Sequence, residues 1–407
     1  MHAGPAAPPR KASTAAAPVG GVLVMAALVL AALNLRPALA SVGPVLPAIR
    51  SDLGLSGAQA GLLTTIPALC FAAFAPAAPR LATRFGLERT LVWCLALTGL
   101  ATALRATVGG TAALFATTLA AGVAIAVTQT LLPSMVKRRF ASRALLATGA
   151  YALSINLGAL LAASLSAPAS DAFGGSWKGA LAIWAVFAPA AVVVWIMLGR
   201  SAPARAVPVA GEVPGGLPWR SAKAWALTLY MGGLSIIYIV TLTWLAPLYH
   251  DHGYSSGRAG AVLSVFAGAQ IVSGLTIPPL AHRHSSHGFW LSTSIAAVGL
   301  GVLAVATVPL TAPWLWAAIA GLGMGGAFPL VLTLFVDHAT SAEHAGQLTA
   351  MAFCGGYLVA AAGPTGAGAI SDLTGSLTVP FVILAAVALA MVIVTPRLAG
   401  QQGEPAT

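Results

Sequence analysis

The chain has 407 residues, of which 58% are hydrophobic and only 7% are charged. Soluble proteins carry about 25% charged residues, so this composition excludes an ordinary water-soluble globular protein. The net charge of +11 does not indicate nucleic-acid binding, because the basic residues are spread over short segments and form no long tract. We therefore expect a lipid bilayer around the chain and no nucleic-acid partner.

Long uncharged runs recur from Val19 to Leu398, and a helix of about 20 residues crosses a hydrocarbon core about 30 Å thick. The predicted spans are 19–48, 59–80, 90–108, 111–136, 144–167, 178–199, 223–249, 259–281, 288–309, 312–336, 345–370 and 377–398. The sequence thus predicts an all-α membrane protein with twelve transmembrane helices. At the N-terminus, the first run is too long for a cleaved signal peptide, so we expect it to be retained.

The longest interior hydrophilic stretch, 200–220, separates the sixth predicted span from the seventh. It is rich in proline and cannot form a packed core. The predicted domains are a flexible N-terminal tail at 1–18, a six-helix half at 19–199, a linker at 200–222, a second six-helix half at 223–398 and a C-terminal tail at 399–407.

Lysine and arginine are distributed unequally between the two sides of the predicted membrane. Fifteen of them fall on the side that holds the N-terminus and four on the other side, with Arg36 inside a span. Basic loops remain in the cytoplasm. We therefore expect a multi-pass protein of the inner (plasma) membrane, with both termini and the linker in the cytoplasm.

The second half repeats the first when the chain is shifted by 199 residues. The paired positions include Asp52 and Asp251, Gly54 and Gly253, Ser56 and Ser255, Pro79 and Pro278, and Arg84 and Arg283. These matches need no gap and fall at equivalent ends of spans. The sequence therefore predicts two pseudo-symmetric halves in the same orientation, as in other membrane proteins built from parallel repeats.

Arg36 lies near the middle of the first span, whereas the other ionisable residues fall in loops or at span ends. An arginine at the bilayer centre costs about 2.5–3.5 kcal/mol on insertion scales and does not deprotonate. Because no carboxylate lies at depth to pair with it, we expect Arg36 to face an aqueous cavity and to bind a small planar anion or an electron-rich oxygen pair. The alternative is a structural arginine that snorkels or bonds backbone carbonyls.

Asn34 and Pro37 flank this arginine. Pro37 removes the intrahelical hydrogen bond to the Leu33 carbonyl, which becomes available to Arg36 or to a ligand. At the shift of 199 residues Arg36 falls on Ser235, so the second half has no matching charge. We expect an asymmetric site, with a cation supported by Asn34 in the first half and polar or aromatic groups from the second.

The predicted walls of this site are the polar and aromatic residues inside the inner spans, since an amide facing lipid would be unsatisfied. They are Gln129, Tyr151, Asn156, Tyr238, Trp244, Gln270, Phe328 and Tyr357. Flat aromatic faces suit a flat ligand. The alternative for each residue is helix packing or a place in the interfacial aromatic belt.

No group at depth indicates catalysis or metal binding. The carboxylates and histidines lie in loops or at span ends. Cys70, Cys94 and Cys354 have neither metal-ligand spacing nor a disulfide pattern, so we expect inert thiols. We expect no enzyme activity, no catalytic residue, no metal and no cofactor.

The segment from Pro79 to Arg89 resembles the loop signature of the major facilitator superfamily, Gly-x-Leu-Ala-Asp-Arg-x-Gly-Arg-Arg. The matching positions are Leu81, Ala82, Arg84 and Gly86. Pro79 replaces the first glycine and Thr83 replaces the aspartate, so the resemblance does not imply the charge contact that this aspartate makes in relatives.

A narrower resemblance is to the cyanate/nitroimidazole transporter family (CynX/NimT). It rests on the segments 34–38, 41–47, 131–133 and 137–138, which read Asn-Leu-Arg-Pro-Ala, Ser-Val-Gly-Pro-Val-Leu-Pro, Leu-Leu-Pro and Lys-Arg. The resemblance implies transport of small, flat, anionic or nitro-bearing solutes. This implication agrees with the expectation that Arg36 binds an anion.

We predict alternating access between the two halves, with the substrate bound by Arg36 near the midplane and with Arg84 and Arg283 latching the cytoplasmic side. A protein of this kind needs only a small-molecule substrate and the bilayer as partners, and we expect a monomer. The alternative is a broad-specificity drug exporter of the same fold, which would tolerate the loss of Arg36.

Overall fold

The structure, a computed structural model, describes residues 18–140, 144–201, 217–284 and 287–399. These residues form helices and connecting turns, with no strand among them. Within the described ranges, twelve helical stretches are long and apolar enough to cross a membrane. We number them spans 1 to 12: Gly21–Leu53, Gly57–Phe85, Leu87–Thr107, Thr111–Val136, Leu146–Ala172, Trp177–Gly199, Ala222–Asp251, Ser256–Arg283, His287–Thr307, Pro313–Asp337, His344–Thr374 and Thr378–Ala399.

Several spans are not single regular helices. Span 1 consists of the helices Pro18–Leu35, Pro37–Ala40 and Val42–Leu53. Short 3-10 turns interrupt span 2 at Ala75–Ala77 and span 6 at Ile183–Val186, and another ends span 3 at Arg105–Thr107. The helices of spans 4, 5, 6 and 11 extend beyond the apolar stretch, to Thr111–Arg139, Ala144–Ala172, Phe187–Ser201 and Ala342–Thr374.

The predicted all-α fold with twelve transmembrane helices is confirmed, and the differences lie at helix ends. Span 2 continues to Phe85, past the predicted end at 80, because a helix that carries Arg80 and Arg84 runs on to Gly86, where φ is 88°. Span 5 runs through Pro168 to Ala172. The predicted end at 167 was too early, because proline is tolerated inside membrane helices when neighbours satisfy the freed backbone groups.

The two six-helix halves repeat the same pattern of packing. In the first half span 1 packs on spans 5 and 6, span 4 on spans 2 and 3, and span 3 on span 6. In the second half span 7 packs on spans 11 and 12, span 10 on spans 8 and 9, and span 9 on span 12. The halves meet through spans 2 and 11 and through spans 5 and 8, which are also symmetry equivalents.

The repeat also governs local structure at the starts of spans 2 and 8. Ser56 and Ser255 are the N-cap residues, and their side chains accept hydrogen bonds from the backbone N–H groups of Gln59 and Arg258. Serine is among the favoured residues at this position. Gly54 and Gly253, at the preceding turns, both adopt a positive φ.

The two faces of the bundle are distinguished by their span ends. We call the face that holds Gly21, Gly199, Ala222 and Ala399 the terminal side, and the face that holds Leu53, Gly57, Asp251 and Thr374 the opposite side. The predicted tails 1–18 and 399–407 and the predicted linker 200–222 lie mostly outside the described residues.

We call the contact between spans 2 and 11 the seam. Near the opposite side, the backbone N–H groups of Gly57 and Ala58 donate to the Asp372 carboxylate at 2.7 and 3.0 Å. A Cβ atom on Gly57 would lie 2.6 Å from the Gly368 carbonyl oxygen, so the two backbones touch.

The seam continues inward from this point. The Thr65 hydroxyl donates to the Ala361 carbonyl at 2.7 Å, and the Cys354 thiol lies 3.5 Å from the Ala72 carbonyl near the middle of both spans. These contacts therefore join spans 2 and 11 from the opposite side to about the middle of the bundle.

Candidate functional site

Span 1 breaks at Arg36, at the middle of the bundle. Pro37 has no N–H group, so the regular helical bonding stops there. The N–H groups of Leu39 and Ala40 both donate to the Arg36 carbonyl, which starts the short helix Pro37–Ala40. The break leaves the Arg36 side chain at the junction of two helical segments.

The Leu33 carbonyl, freed by Pro37, faces span 5. A Cβ atom on Gly158 would lie 2.8 Å from that oxygen and 3.2 Å from the Pro37 ring. Only a glycine at this position lets span 5 approach the break so closely.

Three tyrosines surround the Arg36 guanidinium. Its Cζ atom lies 5.3 Å from the centre of the Tyr238 ring, in cation–π geometry. The Tyr357 and Tyr151 side chains lie close enough to interact electrostatically with it. We call these four residues the Arg36 cluster. It combines spans 1 and 5 of the first half with spans 7 and 11 of the second.

Further aromatic rings extend the cluster. Tyr357 stacks on Phe71 of span 2, with ring centres 5.0 Å apart, and on Phe353 at 5.9 Å. Tyr238 stacks on Phe266 at 6.4 Å. Sequence reasoning did not single out these phenylalanines, because an apolar ring in an apolar span carries no local signal of a site.

The Arg36 cluster is positively charged and incompletely bonded. Among the described side chains, no carboxylate lies within ion-pair distance of Arg36. Its Nε atom is buried without a hydrogen-bond partner, and so are Asn34 Nδ2 and Ser41 Oγ on either side of the break. Buried polar atoms are nearly always bonded, so this concentration marks a place suited to a polar ligand. Arg36 itself stays partly accessible.

Trp244, Gln270 and Phe328 of the predicted walls lie outside the Arg36 cluster. Trp244 is fully buried and donates its ring N–H to the Pro364 carbonyl at 3.0 Å. The Gln270 amide is turned toward its own helix, 3.4 Å from the Phe266 carbonyl, and Phe328 packs against a hydrophobic cluster that both halves form. In this conformation they serve helix packing.

Asn156 and Gln129 also do not reach the Arg36 cluster through a hydrogen bond. The Asn156 amide donates to the Ala152 carbonyl one turn earlier, at 2.9 Å. The Gln129 side-chain oxygen is buried and has no partner. It joins the Arg36, Asn34, Ser41 and Arg105 side chains as a buried, unsatisfied group of the first half.

The two predicted latch residues lie exposed at the terminal side. The Arg84 guanidinium lies 5.2 Å from the ring centre of its neighbour Phe85. Arg283 ends span 8, and it forms no ion pair with a described side chain. The halves meet instead through spans 2 and 11 and through spans 5 and 8.

One buried cation was missed by sequence reasoning. Arg105, at the end of span 3, is by sequence one of the four basic residues of the opposite side, yet only 1% of it is exposed. Its Nη1 atom donates to the Ala38 carbonyl at 2.9 Å, in the short helix after Arg36. Position at a span end gave no signal of this contact, which depends on how span 3 packs.

The described residues contain no group of three or more His, Cys, Asp or Glu side chains suited to hold a metal ion. The Arg36 cluster offers a guanidinium, tyrosine hydroxyls and flat ring faces. These groups suit the binding of a planar, electron-rich molecule.

Comparison with known proteins gives a family match over most of the chain. Residues 22–364 and 244–405 match the Major Facilitator Superfamily. A 2-nitroimidazole transporter of Escherichia coli (strain K12) is 34% identical over 384 residues, which cover 91% of this chain and 94% of the relative. The cyanate transport protein CynX of the same organism is 31% identical over 375 residues, 91% of this chain and 96% of the relative.

An uncharacterized transporter of Bacillus subtilis (strain 168), YycB, is 35% identical over 367 residues, which cover 89% of this chain and 90% of the relative. Solved structures share the fold at 16% identity. The nucleoside transporter NupG gives a TM-score of 0.71 and covers 93% of this chain and 99% of its own. An inward-facing, occupied bacterial homolog of the human lysosomal transporter Spinster gives 0.70, with 95% and 97% covered.

Proposed function

The chain belongs to the Major Facilitator Superfamily, and from this premise we propose that it moves a small, flat, anionic or nitro-bearing solute across the membrane by alternating access. It is a multi-pass membrane protein and a secondary transporter, as its family and relatives show. The relatives that carry 2-nitroimidazole and cyanate suggest the substrate class. No feature of the described residues suggests an enzyme.

The observation that carries the proposal is the unpaired charge of Arg36. A cation that is largely removed from water and has no counter-ion is unfavourable, and a partner that removes this penalty binds strongly. Arg36 has no carboxylate partner among the described side chains, and its Nε atom has no acceptor. An anionic or nitro-bearing solute supplies acceptors in the plane of the guanidinium.

The aromatic rings favour a flat solute. Tyr238 covers the guanidinium, and Tyr357 lies in a stack with Phe71 and Phe353. A planar molecule bound at the edge of Arg36 would lie between ring faces, where offset stacking is favourable. A bulky cationic drug would be repelled by the unpaired charge, which argues against the broad exporter.

The Arg36 cluster draws on both halves, and this supports alternating access. Arg36 and Tyr151 belong to the first half, whereas Tyr238 and Tyr357 belong to the second. A substrate held between them would be released to one side or the other as the halves rock. Because the seam closes the opposite side, we assign this conformation to the state that opens toward the terminal side.

The excess of lysine and arginine on the terminal side supports a cytoplasmic location for that side. The protein would then lie in the inner membrane of the cell. The division into halves at 19–199 and 223–398, joined by the linker 200–222, belongs to this proposal. The proposal also includes a supporting role for Asn34 beside Arg36. It further includes Arg84 and Arg283 as a latch of the cytoplasmic side. That latch would form only in the state in which the terminal side is closed.

The test is uptake by purified protein in liposomes, with cyanate, nitrite and 2-nitroimidazole as substrates. We expect saturable uptake of at least one of them by the wild type. Arg36→Ala should raise the half-saturation concentration by about 30-fold or more, because removing a buried charged partner costs about 2 kcal/mol or more. The half-saturation concentration of Arg36→Lys should lie between those of the wild type and Arg36→Ala, since a lysine keeps the charge without the planar guanidinium.

The matched control is Arg258→Ala, an exposed arginine over the Tyr254 ring at the opposite side. It should leave uptake unchanged. Wild-type uptake by the Arg36→Ala protein would contradict the role of Arg36 and would favour the broad-specificity exporter. Absence of saturable uptake for all three solutes would contradict the proposed substrate class.

A further inference from the structure

Arg105 is the second buried cation of the first half, and nothing in the proposed function uses it. It is among the largest fully buried side chains of the molecule, with 1% exposed. No carboxylate among the described side chains lies within ion-pair distance. Burying an unpaired guanidinium is costly, so its bonding partners are the key to its role.

Both partners of Arg105 are neutral oxygen atoms on neighbouring spans. Nη1 donates to the Ala38 carbonyl of span 1 at 2.9 Å, and Nη2 donates to the Thr118 hydroxyl of span 4 at 3.3 Å. The Thr118 hydroxyl in turn donates to the Leu114 carbonyl at 2.8 Å. The guanidinium thus ties span 3 to both span 1 and span 4.

The Ala38 carbonyl belongs to the short segment of span 1 that follows the Pro37 break. The helix Pro37–Ala40 has only four residues, between turns at Arg36 and Ser41. A helix this short has too few internal hydrogen bonds to hold its own orientation. A charge-assisted bond from Arg105 is stronger than a neutral one and fixes this segment from outside.

We propose that Arg105 is a positioning residue: by holding the Ala38 carbonyl it orients the short helix Pro37–Ala40 and so directs the Arg36 side chain toward the substrate. Ala38 follows Arg36 by two residues, and the Arg36 carbonyl accepts the first bonds of this helix. A rotation of the helix therefore rotates the Arg36 backbone. The effect of Arg105 on substrate binding rests on the proposed function. Its effect on the geometry of residue 36 does not.

The first experiment compares transport by Arg105→Met and Arg105→Lys with the wild type, using cyanate and 2-nitroimidazole in liposomes. Arg105→Met removes the donors and should raise the half-saturation concentration by about tenfold, or roughly 1.4 kcal/mol, with the maximal rate changed far less. Arg105→Lys keeps one charged donor for the Ala38 carbonyl and should recover most of the affinity. Arg258→Met is the matched control and should change neither constant.

The second experiment needs no substrate. In a protein whose three cysteines are replaced by alanine, Arg36→Cys places a thiol at the site, and a small charged thiol reagent reports how it faces the aqueous passage. Adding Arg105→Met should change the labelling rate by about tenfold, as expected for a misdirected side chain, whereas adding Arg105→Lys should not.

Unchanged half-saturation concentration and unchanged labelling in folded Arg105→Met protein would overturn the inference. If Arg105→Met does not fold, the Arg105→Lys and Thr118→Val proteins decide. Thr118→Val leaves the Ala38 bond intact and should raise the half-saturation concentration far less than Arg36→Ala does; a loss equal to that of Arg36→Ala would overturn a role through Ala38. If the wild type transports neither solute, the proposed substrate class fails while the labelling result still tests Arg105.

Discussion

Arg36 presents two different surfaces to its surroundings. One face of the guanidinium is covered by the Tyr238 ring at 5.3 Å, and its Nε atom, on the edge, has no acceptor. We propose that the covered face holds the cation in place and that the edge binds the substrate. The contact with the ring and the interaction at the edge can therefore be removed by different substitutions.

Replacing Tyr238 tests the covered face. Tyr238→Leu should raise the half-saturation concentration for the transported anion by about 2- to 30-fold, because a cation–π contact contributes about 0.5–2 kcal/mol. Tyr238→Phe keeps the ring and should stay near the wild-type value. The measurement is the concentration dependence of uptake in liposomes.

Tyr254→Leu is the matched control, since Tyr254 also lies under an arginine, Arg258, but at the exposed opposite side. It should leave uptake unchanged. Equal affinity in the Tyr238→Leu and wild-type proteins would show that the ring does not stabilise the bound state.

The sequence identified Arg36 because a charge inside a long apolar run stands out without any knowledge of neighbours. It did not identify Arg105 as a buried residue, since the end of a span is where a basic residue normally meets water. Burial of Arg105 depends on the Ala38 carbonyl of span 1 and the hydroxyl of Thr118 on span 4. Contacts of this kind follow from tertiary packing and have no pattern in the sequence.

At the scale of the helices, the seam begins with a helix terminus. The Asp372 carboxylate at the end of span 11 accepts from the first N–H groups of span 2, and the Arg50 guanidinium lies 3.6 Å from it. A carboxylate at a helix N-terminus is favourable because of the unpaired N–H groups and the helix dipole. Here the capping carboxylate belongs to the other half, so opening the opposite side must break its hydrogen bonds to Gly57 and Ala58.

Asp372→Asn should therefore shift the protein toward opening of the opposite side. The substitution keeps one acceptor but removes the charge, which contributes about 1 kcal/mol, or about a fivefold change in population. A cysteine replacing Thr64 reports the opening, because Thr64 is buried in the closed state, 2.8 Å from Thr243 of the other half. Its labelling by a membrane-impermeant reagent, in protein without other cysteines, should be about fivefold faster in the Asp372→Asn variant.

Asp171→Asn is the matched control for that substitution. Asp171 lies exposed near the equivalent end of span 5, and its carboxylate forms no ion pair with a described side chain. Its replacement should leave labelling of the cysteine unchanged. If the cysteine at position 64 is labelled at the same rate with and without Asp372→Asn, the Asp372 carboxylate does not hold the seam closed.

Element positions were predictable because apolar length determines them, and the break at Arg36 was predictable from Pro37. The partner of the freed Leu33 carbonyl was not, because it depends on Gly158 of span 5 coming close. The Asp372 cap was also not predictable. Its two ends are 315 residues apart in the chain and meet only when the halves assemble.

At the scale of the whole molecule, the two halves share their packing but not their charges. Arg36 and Arg105 both lie in the first half, and positions 235 and 304, related to them by the shift of 199 residues, are Ser235 and Ala304. In the Arg36 cluster the cation therefore comes from the first half alone, whereas aromatic rings come from both halves. The repeat predicted the scaffold, whereas the asymmetry follows from single residues.

The orientation of the whole molecule has its own test. Fusing a reporter that is active only in the cytoplasm after Ala399 should give an active reporter, because basic residues concentrate on the terminal side. A reporter inserted after Gly253, between spans 7 and 8, should be inactive. The reverse pattern of activity would contradict the proposed topology.

The seam has a further property, which follows from the glycines that form it. Gly57 and Gly368 bring backbone against backbone, and side-chain rotamers contribute little where they touch. Glycine and alanine lose no rotamer freedom on burial, so parting and rejoining these surfaces involves almost no side-chain entropy. Two faces of this kind can separate and meet again without repacking, which suits a contact that the proposed alternating access would make and break at every turnover.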